Sequence, residues 1–248
     1  MRKVLLVTGG GRGIGAATCI LAAQKGWDVA VNYTANADAA LQVVKQIQAT
    51  GARAMAVQAD VADEGQVLAM FKQVKAELGP LQGLVNNAGV IDVTARLDEM
   101  SMARWRRMFD VNVLGSMLCA REAVLQMSTK HGGQGGSIVN LSSAASRLGA
   151  AGQYLDYAAA KGAIDSLTLG LAKEVAGEGI RVNAVRPGLI DTEIHASGGL
   201  PNRVKELEHL VPAKRGGSAM EVAQAIVWLL SEEASYTTMS LIDVSGGR

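Results

Sequence analysis

Two side chains four residues apart, Tyr157 and Lys161, are the pair in this sequence best suited to acid–base chemistry. A spacing of i and i+4 places both on the same face of a helix. A free tyrosine has a pKa of about 10, so a tyrosine that works near neutrality needs its ionised form stabilised by roughly 4 kcal/mol. A neighbouring ammonium group and a second positive charge, in a cleft of low dielectric, act in that direction. The spacing alone is also compatible with a purely structural pair.

Two hydroxyl groups follow a predicted strand upstream of this pair. Residues 137–141 are mostly apolar, and Ser142 and Ser143 come directly after them. A hydroxyl at the carboxyl end of a buried strand is placed to hydrogen-bond the oxygen of a substrate carbonyl. Either serine fits this role on position alone.

A glycine-rich segment, residues 8–15, lies between the first apolar run and a helical segment and reads TGGGRGIG. Glycines permit a tight turn and bring backbone N–H groups close to a phosphate, and a helix N-terminus favours negative charge. The strict G-x-G-x-x-G fingerprint is absent, but Gly11, Gly13 and Ala16 fit its variant form. The segment predicts a site for a dinucleotide pyrophosphate, with a merely structural turn as the alternative. The chain has no G-x-x-x-x-G-K-[ST] sequence, which excludes P-loop nucleotide hydrolases.

The end of the second predicted strand bears on which dinucleotide binds. A carboxylate there would hold the ribose hydroxyls of NAD, but the strand ends in Asn32, Tyr33 and Thr34. Asp38 is predicted to lie in the first turn of the next helix, where it favours the helix dipole. The missing acid, together with Arg12 in the turn, favours the 2′-phosphate of NADP(H), with NAD(H) as the alternative.

A parallel sheet is the scaffold that would position these residues. Apolar β-branched runs alternate with segments of helical periodicity, which predicts βαβ units and one doubly wound α/β domain over residues 1–248. Residues 189–217 break the alternation and form a predicted long substrate loop. His195 and His209 lie in this loop without partners at metal-ligand spacing, so no metal site is predicted. The predicted strands are 4–7, 29–33, 53–58, 84–86, 137–141, 180–185 and 240–244, and the predicted helices 14–24, 37–49, 64–78, 102–127, 154–176 and 219–230.

Composition excludes several classes of protein. Lys and Arg number 24 against 23 Asp and Glu, and no run of five or six like charges occurs, which argues against nucleic-acid or membrane binding. No apolar run reaches the ~18 residues of a membrane span or the ~7–15 of a signal peptide. The 29 glycines follow no collagen-like period, and Cys19 and Cys119 lie in apolar helical segments as buried thiols. We expect a cytoplasmic enzyme.

Taken together, the motifs resemble those of the classical short-chain dehydrogenase/reductase family over essentially the whole chain. The glycine-rich turn is followed in order by five further matches to the family pattern. These are Asp60-Val61 after the third strand, Asn86-Asn87-Ala88-Gly89 after the fourth, Asn112, Ser143 with Tyr157 and Lys161, and Pro187-Gly188 with Thr192. Their order makes chance a poor explanation.

The resemblance implies a seven-stranded Rossmann-type sheet and hydride transfer between a nicotinamide and a carbonyl or alcohol carbon. Tyr157 would be the general acid in reduction and the base in oxidation, and Lys161 would lower its pKa and bind the nicotinamide ribose. Ser143, rather than Ser142, would hold the substrate oxygen, and Asn112 would order a water that relays protons to Lys161. The residues expected to contact the cofactor are Gly9, Gly11, Arg12, Gly13, Ile14, Gly15, Asn32, Tyr33, Thr34, Asp60, Val61, Asn87, Ala88, Gly89, Tyr157, Lys161, Pro187, Gly188, Ile190 and Thr192.

Two departures bear on the substrate. One extra residue stands between Gln153 and Tyr157 compared with acyl-carrier-protein reductases, which brings Tyr154 and Asp156 beside the pocket. Those reductases carry arginines before the fifth and sixth strands, where this chain has Gln134 and Glu178. An acidic carrier would meet no matching charge, so the resemblance is closer to sugar and small-alcohol dehydrogenases. The family further implies a homotetramer, or a dimer, built on residues 102–127, 223–230 and 242–244.

The leading hypothesis is an NADP(H)-preferring oxidoreductase that acts on the carbonyl or alcohol carbon of a small organic substrate. An NAD-dependent sugar or polyol dehydrogenase of the glucose type and a 3-oxoacyl reductase are the alternatives within the enzyme class. A non-catalytic dinucleotide sensor is the alternative outside it, although a pure binding module has no need of the Tyr157/Lys161 pair.

Overall fold

Seven parallel strands form the centre of the computed structural model, which describes residues 2–248. They are hydrogen-bonded in the order β3-β2-β1-β4-β5-β6-β9, and β7 and β8 form a separate two-stranded sheet. The predicted α/β fold with a seven-stranded Rossmann-type sheet is confirmed. In chain order the strands are β1 (Lys3–Val7), β2 (Trp27–Tyr33), β3 (Ala54–Gln58), β4 (Leu81–Asn86), β5 (Gly136–Leu141), β6 (Ile180–Pro187), β7 (Ile190–Asp191), β8 (Gly217–Ser218) and β9 (Leu241–Val244).

Helices cover both faces of the sheet. Along β1 the side chains alternate, so that Leu5 and Val7 pack on one face while Val4 and Leu6 pack on the other. The first face is covered by α1, α2 and α10, and the second by α3, α5 and α7. The helices are α1 (Gly13–Gln24), α2 (Ala37–Gln48), α3 (Glu64–Glu77), α4 (Met102–Phe109), α5 (Gly115–Met127), α6 (Ala145–Leu148), α7 (Leu155–Val175), α8 (Ile194–Ser197), α9 (Arg203–Leu207) and α10 (Ala219–Leu230).

The prediction of one continuous helix over residues 102–127 is wrong for its middle part. A π-helical turn, Asp110–Leu114, separates α4 from α5. The Asn112 amide donates to the backbone oxygens of Met108 and Val90, so the turn is tied to the loop after β4. Periodicity cannot predict this interruption, because it depends on a contact with a segment 22 residues away. Single π-helical turns within helices occur frequently at functional sites.

Residues 189–217 are more ordered in secondary structure than the predicted long loop. They contain β7, α8, α9 and a 3-10 helix, Glu208–Leu210, and they end where Gly217 pairs with Ile190 in the two-stranded sheet. The Gly217 N–H donates to the Leu189 oxygen, which closes the segment at its base. The segment lies beyond the carboxyl end of β6, where parallel sheets of this type bind their ligands.

Most of the other predicted elements differ from the observed ones by one to three residues at their ends. Asp38 lies in the first turn of α2 as predicted, and Cys19 and Cys119 are buried free thiols. Within residues 2–248, no helix has the length and hydropathy needed to cross a bilayer, and no three His, Cys, Asp or Glu side chains group as metal ligands would.

Candidate functional site

A cavity of about 400 Å³ opens at the carboxyl edge of the sheet. Its wall is formed by the loop after β4, the end of β5, the start of α7 and the segment that follows β6. The order of the strands reverses between β1 and β4, and that point is where doubly wound sheets bind ligands. Of the residues predicted to act in catalysis or cofactor binding, the cavity wall includes Ile14, Asn87, Gly89, Ser143, Tyr157, Lys161, Pro187, Gly188, Ile190 and Thr192.

The glycine-rich turn lies beside this cavity and is packed against its neighbours. A Cβ atom added at Gly15 would stand 2.3 Å from the Gly9 oxygen and 2.6 Å from the Asn87 side-chain nitrogen. Gly9 and Gly13 have positive φ angles of +62° and +51°, which L side chains rarely adopt. Here the backbone geometry itself requires glycine.

The N-terminus of α1 has no side-chain cap and no acid of its own. Arg12 is its N-cap and makes no side-chain cap, and the first turn contains no acidic residue. By contrast, α2, α3 and α10 are capped by Asn36, Asp63 and Ser218 and have an acid in the first turn. A carboxylate oxygen of Glu193, in the segment after β6, comes close to Gly13, where an added Cβ atom would stand 3.6 Å from it. Within α1 itself, the free N–H groups and the positive end of the helix dipole remain available to an anion. A dinucleotide pyrophosphate is an anion of the kind that such turns hold.

The three residues at the end of β2 differ in burial, because Asn32 is held by internal hydrogen bonds while Tyr33 and Thr34 are at least partly exposed. Asn32 is buried, and its side chain accepts from the Gly9 N–H at 3.1 Å while donating to the Val57 and Ala59 oxygens. Tyr33 is half-buried and Thr34 is exposed. Arg12 is also exposed and forms no ion pair with a carboxylate in residues 2–248. A contact between the Asn32 side chain and a cofactor would compete with these internal bonds.

The ends of β3 and β4 hold the remaining predicted cofactor contacts. The Asn87 amide donates to the Thr8 and Gly9 oxygens, and the Thr8 hydroxyl accepts from the N–H groups of Asn87 and Ala88. These bonds tie β4 to the glycine-rich turn. Asp60 accepts from the Ala62 N–H, and Val61 is buried against Gly115.

Tyr157, Lys161 and Ser143 all line the cavity. For Tyr157 and Lys161, burial is the largest cause of the pKa shift. Burial raises the pKa of Tyr157 to about 12, and the Ser143 hydroxyl acts against this shift. Burial lowers the pKa of Lys161 to about 8, which the Asp165 carboxylate partly opposes. Asp165 is itself paired with Arg186 at 2.9 Å. The Lys161 ammonium donates to the Leu141 oxygen at 2.6 Å, and the Ser142 hydroxyl donates to the Lys161 backbone oxygen at 3.2 Å.

Asn112 is buried behind this wall rather than in it. Its side-chain oxygen accepts from the Val90 N–H at 3.2 Å, and a Cβ atom at Gly89 would stand 2.7 Å from that oxygen and 3.7 Å from the Lys161 nitrogen. The Asn112 side-chain oxygen and the Lys161 nitrogen therefore both lie close to Gly89. The predicted water relay through Asn112 stays a prediction, and the bonds seen here hold the loop after β4 in place.

The segment after β6 reaches both the serine loop and the glycine-rich turn. The Pro187 oxygen accepts from the Ala144 N–H, and a Cβ atom at Gly188 would clash with Ser245 at 2.7 Å. A Cβ atom at Gly13 would be in contact with Thr192 at 3.4 Å, so this segment approaches the turn. The residues predicted to hold a nicotinamide therefore lie between the turn and the side chains predicted to be catalytic.

Sequence reasoning missed two polar contacts, one beside the cavity and one in its lining. Arg104 of α4 pairs with Asp156 at 2.7 Å, both side chains are buried, and Asp156 accepts from the Tyr157 N–H. Arg203 of α9 lines the cavity and donates to Gln153 at 2.6 Å. The sequence places Asp156 beside the pocket and Arg203 in the predicted substrate loop, but no spacing pattern joins either to its partner.

The chain matches a family model described as "Enoyl-(Acyl carrier protein) reductase" over residues 9–248. It is 55% identical over 245 residues to the uncharacterized oxidoreductase YgfF of Escherichia coli, with 99% of each chain covered. It is also 38% identical over 248 residues to the 3-oxoacyl-[acyl-carrier-protein] reductase FabG of Staphylococcus aureus, covering 100% of this chain and 98% of that one. Closer likeness to sugar dehydrogenases than to acyl-carrier-protein reductases stays a prediction.

Two solved structures share the fold over nearly the whole chain. A short-chain type dehydrogenase/reductase from Mycobacterium marinum has a TM-score of 0.92 at 33% identity, covering 99% of this chain and 94% of that one. A mutant of a short-chain dehydrogenase/reductase from Serratia marcescens has a TM-score of 0.91 at 33% identity, covering 99% of this chain and 97% of that one. With these matches and the geometry above, the chain belongs to the short-chain dehydrogenase/reductase family of oxidoreductases.

Proposed function

We propose that this protein is an NADP(H)-preferring oxidoreductase that interconverts the carbonyl and alcohol groups of a small organic substrate. The observation that carries the proposal is the grouping of Ser143, Tyr157 and Lys161 on one wall of a cavity that also reaches Ile14 and Thr192 beside the glycine-rich turn. In this arrangement the Tyr157 phenol gives a proton to the substrate oxygen in reduction and takes it back in oxidation. Ser143 holds that oxygen by a hydrogen bond.

Lys161 supports the proposed role of Tyr157 by its position and charge. Its ammonium group lies 5.5 Å from the centre of the Tyr157 ring, and no carboxylate of residues 2–248 is paired with it. An unpaired positive charge at this distance favours the phenolate over the phenol, which opposes the effect of burial on the Tyr157 pKa. The same ammonium is expected to bind the ribose of the cofactor. The nicotinamide, when bound, supplies or accepts the hydride.

The preference for NADP(H) over NAD(H) rests on charge. No acidic residue stands at the end of β2, where a carboxylate would repel a 2′-phosphate, and the exposed Arg12 has no competing ion pair within residues 2–248. The nearest acid along the chain, Asp38, belongs to the first turn of α2.

Exchange of Tyr157 for Phe tests the proposed chemistry. A panel of ketones, aldehydes, oxo acids and alcohols is assayed by the absorbance of the reduced nicotinamide with each cofactor. Tyr157→Phe removes only the hydroxyl, so turnover should fall by about 10³-fold or more while cofactor affinity by fluorescence titration is retained. Exchange of the exposed Tyr236 for Phe is the matched control and should leave turnover unchanged. A Tyr157→Phe variant with wild-type turnover would remove Tyr157 from the mechanism.

A 3-oxoacyl reductase is the second candidate, favoured by the 38% identity to FabG. Against docking of an acidic carrier protein, Glu178 stands next to the start of β6 and accepts from Ser128 at 2.5 Å, a carboxylate at a position where an arginine is expected. Acetoacetyl thioesters of coenzyme A and of acyl carrier protein belong in the same panel. A preference for the carrier-bound thioester would favour this candidate.

We also propose a homo-oligomer, a tetramer or a dimer, built on the faces that the family uses. The π-helical turn and α5 expose Leu114, Met117 and Leu125, and α10 exposes Trp228. Apolar side chains at this spacing along one helix would be buried by a second copy of the chain. Light scattering gives the mass directly. The quaternary structure and the cytoplasmic location stay predictions.

A further inference from the structure

The wall of the cavity has an uneven distribution of charge. Lys161, Arg203 and Arg248 are the Lys and Arg residues of its lining, whereas the lining found among residues 2–248 includes no Asp or Glu. His195 adds a ring whose pKa is lowered by burial, which keeps it neutral near pH 7, and its Nε2 lies 2.9 Å from the Ile190 oxygen. A cavity lined in this way favours a ligand with negative charge.

The proposed chemistry leaves two basic residues of the lining, Arg203 and Arg248, without a role, and Arg203 is the one that contacts residues next to the start of α7. Its guanidinium carbon lies 5.1 Å from the centre of the Tyr154 ring, and it donates one hydrogen bond to the Gln153 side chain. An arginine has five N–H donors, so most of them have no acceptor in residues 2–248. No carboxylate of that range lies within ion-pair distance of it either, whereas Arg104, behind the same stretch of chain, is paired bidentately with Asp156.

The contacts of Arg203 lie close to Tyr157 along the chain. Gln153 and Tyr154 come directly before α7, and Tyr157 follows Tyr154 by three residues, or about one helical turn. Arg203 and Tyr157 both line the cavity, so one small ligand in the cavity can reach both side chains.

We propose that Arg203 binds the carboxylate of the substrate, which makes the substrate a short oxo or hydroxy carboxylic acid. This inference rests on the proposed function, because it names the substrate class of the same site. The planar guanidinium, held near the Tyr154 ring and by its hydrogen bond to Gln153, keeps further N–H groups whose fork geometry matches two carboxylate oxygens. Binding at Arg203 orients the oxo group toward Tyr157 and Ser143.

Matched acid and ester substrates test the proposal, because they differ in charge and little in shape. Reduction of acetoacetate and levulinate is compared with reduction of methyl acetoacetate and methyl levulinate in the wild type and in Arg203→Gln. The wild type should prefer the acids. Arg203→Gln should lower kcat/KM for the acids about 10- to 100-fold through KM and leave the esters within about twofold. Lys205→Gln, an exposed residue on the same short helix, is the control and should change neither.

Each of the other outcomes contradicts this proposal, the proposed function or the proposed mechanism. An equal loss on acids and esters in Arg203→Gln would mean that Arg203 only holds α9 against Gln153, and would overturn the proposal. A wild type that reduces the esters and not the acids would overturn it as well, while the proposed oxidoreductase function stands. A wild type that turns over no member of either set or of the wider panel, with cofactor bound, would overturn the proposed function and this inference with it. Retained activity in Tyr157→Phe would contradict the mechanism and leave the charge preference standing.

Discussion

The glycine-rich turn and the substrate side of the cavity differ in how completely their polar groups are paired. In the turn, Asn32, Asn87 and Thr8 bond the backbone directly, and Gly15 leaves no room for a further atom. On the substrate side, Lys161 and Arg203 have no carboxylate partner among residues 2–248, and burial shifts the pKa of both Lys161 and Tyr157.

The glycine-rich turn and the substrate side of the cavity are therefore preorganised in different ways. The turn is fixed by packing and by internal hydrogen bonds, so we expect it to bind a ligand by presenting backbone N–H groups in a preset shape. The substrate side retains uncompensated charge, which costs stability in the free protein and is offset when a ligand supplies the missing charge or hydrogen bonds.

Exchange of Lys161 for Met should lower turnover by about 10³-fold and stabilise the cofactor-free protein. The pKa of Lys161 is about 8 in the folded state and about 10.5 in the unfolded chain, so burying its charge costs about 3 kcal/mol near pH 7. Removal of the buried charge therefore stabilises the variant by that amount, and loss of the hydrogen bond to the Leu141 oxygen lowers this gain by ~1 kcal/mol. The net increase in the free energy of unfolding is about 2 kcal/mol by urea titration at pH 7.

The difference in stability between wild type and Lys161→Met should depend on pH. The charge penalty is fully present below pH 8 and fades as the pH rises toward 10.5, so wild type and Lys161→Met should converge in stability by about pH 10. Lys173→Met, on the exposed face of the same helix, is the control and should show no such convergence. A Lys161→Met variant less stable than wild type at pH 7 would contradict the idea of stored charge on this side of the site.

Exchange of Gly15 for Ala should weaken binding of NADPH by about 100-fold and lower the melting temperature. The added Cβ would stand 2.3 Å from the Gly9 oxygen, so the backbone of the turn must move, at a cost of about 1–3 kcal/mol. Isothermal titration and thermal unfolding measure the two effects. Gly170→Ala, in the interior of α7 with open space around it, should instead leave affinity unchanged and stabilise the fold slightly. Wild-type affinity in Gly15→Ala would show that packing does not fix the turn.

Exchange of Arg12 for Ala should lower the affinity for NADPH about tenfold and leave that for NADH within about twofold. The reason is that an exposed charge-assisted hydrogen bond to the 2′-phosphate contributes about 1 kcal/mol. Dissociation constants for both cofactors in wild type and variant measure the effect, with Arg96→Ala, an exposed arginine of the loop after β4, as the control. Tighter binding of NADH than NADPH by the wild type would refute the proposed cofactor preference.

The periodicity of the chain was sufficient to predict the fold class, because local repeats of two and 3.6 residues report directly which faces are buried. The grouping of the glycine-rich turn with Tyr157 and Lys161 was predicted from the resemblance to the short-chain dehydrogenase/reductase family, because the spacing within each motif does not place one motif beside the other. The interruption of the helix at Asn112 escaped prediction, since the Val90 oxygen that helps to hold it is distant in sequence.

Local pattern and backbone sterics in the sequence were therefore sufficient to predict the alternating α/β fold, the glycine-rich turn and the shared helix face of Tyr157 and Lys161. The pairing of charges depends on the tertiary structure alone. Asp156 and Asp165 are each bound to an arginine, 52 and 21 residues away in sequence, and within residues 2–248 Lys161 and Arg203 are left without a carboxylate. Charge pairing depends on distances of a few ångströms between segments far apart in the chain, and no spacing along the sequence encodes them.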